Sequence, residues 1–422
     1  MIETQLNAKE KAVLAGLCAE SMEPGDRSGD ETLDELEALL ETAGGVSVGR
    51  VLQNRQSPDP RSFIGHGKAL EMKALIEAEG AELAVFDNDL TPSQLRALSD
   101  SLGVRVIDRS ALILDIFAER AATRVGRIQV ELAQYKYILP RLSGMWGHLV
   151  RQTGTSAPIG TRGPGETQLE TDRRHIRNRI ARLEREISEV MRDRATERRR
   201  REKNEIPVIA LVGYTNAGKS TLFNQLTGSG IHAEDRLFDT LDTTTRRTRV
   251  SDSTEALIVD TVGFIRKLPH HLVDAFRATL DELRYADLVL HVIDASNSAW
   301  REQTRVTDEL ISQLGAGETP RIEVFNKCDL QGADILPHGD NIVSLSAKTG
   351  EGVDSLLALS ERLLGASSRT VTLHIPYADS SVLDELYKKW RVNGINYTDS
   401  VAEATVTLDA RSIGRYNRFL AE

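Results

Sequence analysis

Cysteine is almost missing from the chain: Cys18 and Cys328 are the only two, far apart in sequence. That excludes a disulfide framework and points to a reducing compartment. Long hydrophobic runs are missing too. No stretch approaches the roughly 18 apolar residues that a membrane-spanning helix requires. The N-terminal residues MIETQLNAKEKAVLAG carry early acidic groups and no clean apolar segment, so a secretory signal is not expected. Positive charge is in deficit, with 53 Lys and Arg against 63 Asp and Glu and a formal net charge of −10. This argues against a protein that coats nucleic acid with its whole surface. The expected setting is the cytoplasm, in part at the membrane periphery, and the expected state a monomer.

What is present describes an ordinary globular protein, 40% hydrophobic and 27% charged. A chain of 422 residues is too long for one compact core, and at about 150 residues per domain two to four domains are expected. The charge is uneven. Residues 171–203 hold 13 Lys and Arg against 7 Asp and Glu, so polyanions are expected to meet this one basic element.

Residues 1–43 read as polar and partly helical, with a loose stretch at 22–30 (MEPGDRSGD). Beyond them, residues 46–53, 82–87 and 104–108 read as strands. Residues 68–79 and 91–101 read as helices, the second opened by Thr91 with Pro92 in its first turn. Strands alternating with helices imply a small α/β layer with parallel pairing over residues 1–110. From about residue 110 the period changes. Val125, Ile128, Leu132, Tyr135, Leu139 and Leu142 form one heptad-like seam, and Ile176, Ile180, Leu183, Ile187 and Val190 form another. The pattern predicts an antiparallel helical hairpin over 111–205. Its tip is the Gly/Pro-rich stretch 144–166, whose Trp146, His148, Arg151 and Arg162 look like contact groups. Residues 206–366 alternate strands and helices again, and 367–422 read as strand, helix, strand. The expected fold class is α/β: a P-loop domain preceded by a small α/β domain with a long helical hairpin and followed by a small α+β domain.

The chemistry lies in the third segment. GYTNAGKS at residues 213–220 has the GxxxxGK[ST] form and stands between a strand and a helix, as a phosphate-binding loop must. Gly213, Tyr214, Thr215, Asn216, Ala217 and Gly218 would turn backbone N–H groups onto phosphates. The helix start at Lys219, Ser220 and Thr221 favours their negative charge. Lys219 is expected to reach the β- and γ-phosphates, and the Ser220 hydroxyl to ligate Mg2+. DTVG follows: Asp260 would hold the metal through water, Thr261 and Val262 continue the segment, and the Gly263 N–H would sense the γ-phosphate. NKCD supplies guanine selectivity through Asn326, Lys327, Cys328 and Asp329. The Asp329 carboxylate can accept from both the ring N–H and the exocyclic amine of guanine, which adenine cannot match. In SAK, Ser346, Ala347 and Lys348 would contact the base from its other side. Between the first two motifs, Phe238, Asp239, Thr240, Leu241 and Asp242 are expected in a mobile loop over the nucleotide. Thr240 is the expected second Mg2+ ligand, with Thr243, Thr244 and Thr245 as competitors. Catalytic roles are expected of Lys219, Thr240 and Gly263. The ordered set predicts GTP binding and hydrolysis to GDP. Phe264 stands where many GTPases place a water-orienting glutamine, so slow intrinsic hydrolysis is expected. Asn216 matches the position at which some GTPases bind a monovalent cation, so K+ is a candidate cofactor there.

Nearly the whole chain resembles the HflX family. The marks are FIGHGK (63–68), RGPGETQLE (162–170), and GYTNAGKSTLFN followed by DTVGFIRKLPH. The family usually carries a glycine pair ahead of IGTRGPGET, where this chain has Ala157 and Pro158. The resemblance implies cytoplasmic proteins that bind the large ribosomal subunit, some of which split stalled or idle ribosomes. It also implies a hairpin tip near the peptidyl-transferase region of ribosomal RNA. Some members are reported to use ATP through the N-terminal region; residues 65–68 read more simply as a glycine-flanked helix start. Arg162 at the tip and Arg173, Arg174, Arg177 and Arg182 on the second helix are the expected RNA contacts. The alternative is a GTP-dependent switch that grips a protein partner through the coiled-coil hairpin.

Overall fold

The computed structural model describes residues 9–142, 164–203, 206–228, 237–238, 244–251, 254–267, 272, 283–330, 336–366, 368–398, 400–409 and 416–420. The N-terminal unit runs β1 (Lys11–Ala19), α1 (Asp30–Thr42), β2 (Val46–Arg55), α2 (His66–Glu79), β3 (Leu83–Phe86), α3 (Pro92–Leu102), β4 (Arg105–Asp108) and α4 (Arg109–Arg120). Its four strands are all parallel, in the order β2-β1-β3-β4. The polar, partly helical reading of residues 1–43 is corrected here: β1 is an inner strand of the sheet. Ala12, Val13, Leu14 and Leu17 are completely buried, because helices cover both faces of a parallel sheet. A strand of that kind shows an unbroken apolar run, which periodicity alone does not separate from a helix. α3 starts as expected, with the Thr91 hydroxyl accepting from the Gln94 N–H (3.3 Å) while the Gln94 side chain accepts from the Thr91 N–H (3.0 Å). α4 packs Ile113, Ile116 and Phe117 against Leu14 and the α1 leucines.

The hairpin elements are α5 (Arg124–Ile138) and α6 (Pro164–Lys203). Ile128, Leu132 and Leu183 form their shared core, flanked by Tyr135, Ile180 and Ile187. Arg179 donates twice to the Glu131 carboxylate at 2.8 Å, and Lys136 pairs with Glu184 at 2.9 Å. The 40 residues of α6 span about 60 Å at the usual helical rise. The tip residues Trp146, His148, Arg151 and Arg162 lie outside the described residues.

The third unit contains β5 (Val208–Gly213), α7 (Lys219–Thr227), β6 (Thr244–Arg249), β7 (Glu255–Asp260), β8 (Leu288–Asp294), α8 (Trp300–Gln313), β9 (Arg321–Asn326), β10 (Ile342–Ser344) and α9 (Val353–Ala366). The sheet order is β10-β9-β8-β5-β7-β6. Only the edge strand β6 is antiparallel. The C-terminal unit is β11 (Ser368–Pro376), α10 (Ser381–Lys389), β12 (Arg391–Tyr397) and β13 (Val401–Asp409), an antiparallel sheet in the order β11-β13-β12. β12 adds a strand to the strand–helix–strand pattern read from the sequence. Leu373, Ile375, Leu386, Ala404, Val406 and Leu408 close its core. Among the described residues, no helix is long and apolar enough to cross a membrane.

One hydrophobic cluster joins two of these units. Leu36 and Phe117 of the N-terminal unit belong to the same packed group as Tyr214, Phe238, Phe264 and Val289 of the third.

Candidate functional site

The motifs of the third unit converge where parallel strands deliver them, at the carboxyl ends of the sheet. β5 runs into the loop 213–218 and α7 begins at Lys219. Gly218 has φ +90°, and a Cβ there would collide with the Asn326 side chain, so both backbone and space require glycine. The Lys219 ammonium is buried and donates to the carbonyls of Gly213 (3.2 Å) and Tyr214 (2.8 Å). Burial pushes its pKa down to about 8, with Asp260 pulling the other way. A phosphate placed against it would restore the full charge.

Asp260 ends β7, and its carboxylate accepts from the Ser220 hydroxyl at 3.1 Å. A hydroxyl and a carboxylate oxygen are the hard donors that Mg2+ takes, so the residues present fit that ion. Gly263 lies against the phosphate loop: a Cβ there would stand 2.9 Å from Thr215 Cγ2 and 3.0 Å from the Lys219 ammonium. Phe264 is pinned by backbone bonds, its N–H to the Gly213 carbonyl (3.1 Å) and its carbonyl from the Thr215 N–H (2.7 Å). Its side chain is fully buried and offers nothing to an attacking water.

Asn326, at the end of β9, ties two loops together. Its side-chain amide donates to the Ala217 carbonyl (2.8 Å) and accepts from the Ala347 N–H (2.9 Å). Lys327 has φ +64° and pairs with Asp294 at the end of β8, 2.7 Å away. Asp294 was not singled out from the sequence; its signal was its place at the end of the strand-like run ADLVLHVID. Asp329 and Lys348 are exposed beside these anchors. The Ser346 hydroxyl accepts from the Thr349 N–H at 3.2 Å, and Cys328 Sγ bonds the Phe325 carbonyl at 3.2 Å.

Not every expected contact faces this crevice. Thr261 is fully buried and donates to the Leu211 carbonyl (2.7 Å), and Val262 lies in the core. The Phe238 ring packs edge-on against Phe117 of α4 at 4.7 Å, an apolar ring set on a dry neighbour. Asp239, Thr240, Leu241, Asp242 and Thr243 lie outside the described residues. Thr244 and Thr245 belong to β6, opposite Asp260 and Val259.

Of the expected RNA contacts, Arg173 is half-buried and Arg174 exposed. Arg177 is exposed and pairs with Glu170 at 3.5 Å; Arg182 is exposed and bonds Glu186 at 3.0 Å. Arg162 is outside the described residues. In FIGHGK, Lys68 pairs with Glu71 (2.7 Å) and the Gly65 N–H bonds the Gln53 side chain (2.8 Å), in keeping with a plain helix start.

Three protein-family descriptions match the chain in order: GTP-binding GTPase N-terminal over residues 30–118, GTP-binding GTPase Middle Region over 120–201, and 50S ribosome-binding GTPase over 208–327. Among curated proteins, the GTPase HflX of Caldanaerobacter subterraneus is 47% identical over 385 residues, 91% of this chain and 87% of its own. The GTPase HflX of Lacrimispora saccharolytica is 49% identical over 80% of this chain and 81% of its own. That of Escherichia coli is 45% identical over 85% of each chain.

Proposed function

The chain belongs to the HflX family of GTPases, and from that membership we propose that it binds the large ribosomal subunit in its GTP state and splits or rescues stalled or idle ribosomes. Hydrolysis of GTP is the family activity. The observation that carries the ribosome reading is α6: a single 40-residue helix with Arg174, Arg177 and Arg182 on its exposed surface. A long basic helix packed along α5 suits the grooves and phosphates of folded RNA. The matched description of a 50S ribosome-binding GTPase supports the same partner.

In this reading the loop 213–218 and Lys219 would hold the phosphates, Ser220 and Thr240 would ligate Mg2+ with Asp260 holding it through water, and Asp329 with Lys348 would select guanine. Mg2+ bound there would supply positive charge against the β- and γ-phosphates. Gly263 donates its N–H to the γ-phosphate, and Lys219 stabilises the departing charge. With Phe264 buried, the water must be oriented by a group from outside, and the ribosome is the candidate source. Asn216, with φ +61° and its side chain exposed, is the proposed K+ contact.

Steady-state GTP hydrolysis with and without purified large subunits, in potassium and in sodium buffers, tests both proposals. Strong stimulation by the subunit, weakening as salt rises, is the expected result. Absent stimulation with intact nucleotide binding would instead favour a protein partner on the hairpin. Equal rates in the two cations would remove K+ from Asn216.

A further inference from the structure

Neighbouring strands of the six-stranded sheet deliver different parts of the nucleotide site. The order β10-β9-β8-β5 sets residues 326–329 and 346–348 at one end, after β9 and β10. The phosphate loop stands at the other, after β5. β8 lies between them, and no nucleotide motif follows it. A ligand with its base at one end and its phosphates at the other must cross the end of β8. That end is Asp294, set opposite Asn326 across the β8–β9 ladder.

Asp294 is tied down on both carboxylate oxygens. Its Oδ1 accepts from the N–H (2.9 Å) and the hydroxyl (2.5 Å) of Ser296. Its Oδ2 meets the Lys327 ammonium at 2.7 Å, with the two side chains only 13% and 23% exposed, so salt screens the pair less than it would a surface pair. Lys327 stands in left-handed backbone at φ +64°, a conformation that a long side chain keeps only where its surroundings impose it. Its side chain thus spans from the end of β9 to the end of β8. Asn326 makes a parallel tie one residue earlier, joining Ala217 of the phosphate loop to Ala347.

We propose that Asp294 is a positioning residue for the nucleoside, acting through Lys327: it lays the lysine stem across the end of β8 as the floor for the sugar between guanine and phosphates. The inference rests on the reading that residues 326–329 hold guanine and residues 213–219 the phosphates. The pairing acts in two ways. It orders a flexible four-carbon stem before the ligand arrives, so binding does not bear that entropy. It also cancels a charge that would otherwise compete with Lys219 for the phosphates. GDP and GTP carry the same nucleoside, so the pair strengthens both alike and leaves the hydrolytic step to other groups.

The test measures dissociation constants of fluorescent GDP and of a fluorescent non-hydrolysable GTP analogue for the full chain in magnesium buffer, together with kcat, KM and the melting temperature of each variant. Asp294→Ala is expected to weaken both nucleotides by the same factor, about three- to tenfold, with the loss falling on KM rather than kcat. Asp294→Glu, which keeps the carboxylate, should recover most of the affinity. Lys327→Met should cost a similar factor, and the double variant no more than the worse single one. Ser296→Ala loosens the turn but leaves Lys327 paired, and should cost clearly less than Asp294→Ala. Losses that multiply in the double variant, a fall in kcat in place of the rise in KM, or Ser296→Ala matching Asp294→Ala would overturn the proposal. Asp329→Asn reports on the base site alone and should trade guanine for xanthine nucleotides. If it does not, the base-site reading falls and the proposal with it. Unchanged affinity in Asp294→Ala beside a responsive Asp329→Asn sinks the positioning role alone.

Discussion

The two parallel sheets obey one rule with opposite outcomes. Each gathers polar side chains at the carboxyl ends of its strands. In the six-stranded sheet these ends carry Lys219, Asp260 and Asn326 around a crevice shaped for a phosphate chain. In the four-stranded sheet they carry Asp87, Asn88 and Asp108, and the protein's own cations fill the space: Lys267 and Arg109 on Asp87, Arg141 on Asp108 at 3.0 Å. The first crevice keeps a buried cation whose natural partner is a ligand. The second has its buried carboxylates Asp87 and Asp108 matched by the protein's own cations. An edge built to bind is electrostatically incomplete without its ligand, and an edge built to join is complete.

The sharpest way to break the comparison is Lys219→Ala. It should lower kcat/KM for GTP by about 10²- to 10³-fold, while denaturant unfolding of the empty protein finds the fold intact, because the charge removed was disfavoured by burial. Normal turnover would mean the crevice is not the hydrolytic site. Asp87→Ala should do the reverse. It leaves Lys267 and Arg109 with Glu35 as the one carboxylate between them and should cost about 3–5 kcal/mol in unfolding free energy; a loss below about 1 kcal/mol would mean that water replaces the carboxylate readily.

The pH response sharpens the same contrast. Lys219, pushed down to about 8 by burial against an ordinary 10.5, binds fewer protons folded than unfolded between those values. Stability of the empty protein should therefore rise across that window by up to about 1.4 kcal/mol per pH unit. Nucleotide affinity should fall as pH climbs past 8, when the ammonium loses its proton. Burial raises Asp87, but Arg109 and Lys267 outweigh it and hold the carboxyl below its ordinary 3.8. Its contribution is thus present above that value and lost as pH falls through the lower folded pKa. Titrating stability at both ends checks both signs: Lys219→Ala should flatten the alkaline arm, and Asp87→Ala the acid arm while also releasing Lys267, whose pKa burial lowers and Asp87 holds up.

Legibility followed sequence distance. The four nucleotide motifs could be read because each is a short contiguous run whose loop geometry is set by its own glycines and polar groups. β5, β7 and β9 were equally plain, as apolar runs ending in those motifs, and β8 as the apolar run LVLHVID. β1 escaped because KAVLAGLCA is apolar on both faces and set in a polar segment. The packing of Phe238 on Phe117 was out of reach for a related reason: its neighbours in sequence are polar, and the ring it packs on belongs to another unit.

The sequence by itself determined the reaction class, the guanine selectivity and the two heptad seams, since these depend on residue types at fixed local spacings. The tertiary structure alone decided how the units meet. Tyr214 and Glu35 are 179 positions apart and Lys267 and Asp87 are 180, and no spacing rule reaches that far. Their pairing depends on which charges folding buries together, because a buried charge must find its counter-charge wherever the chain has placed it.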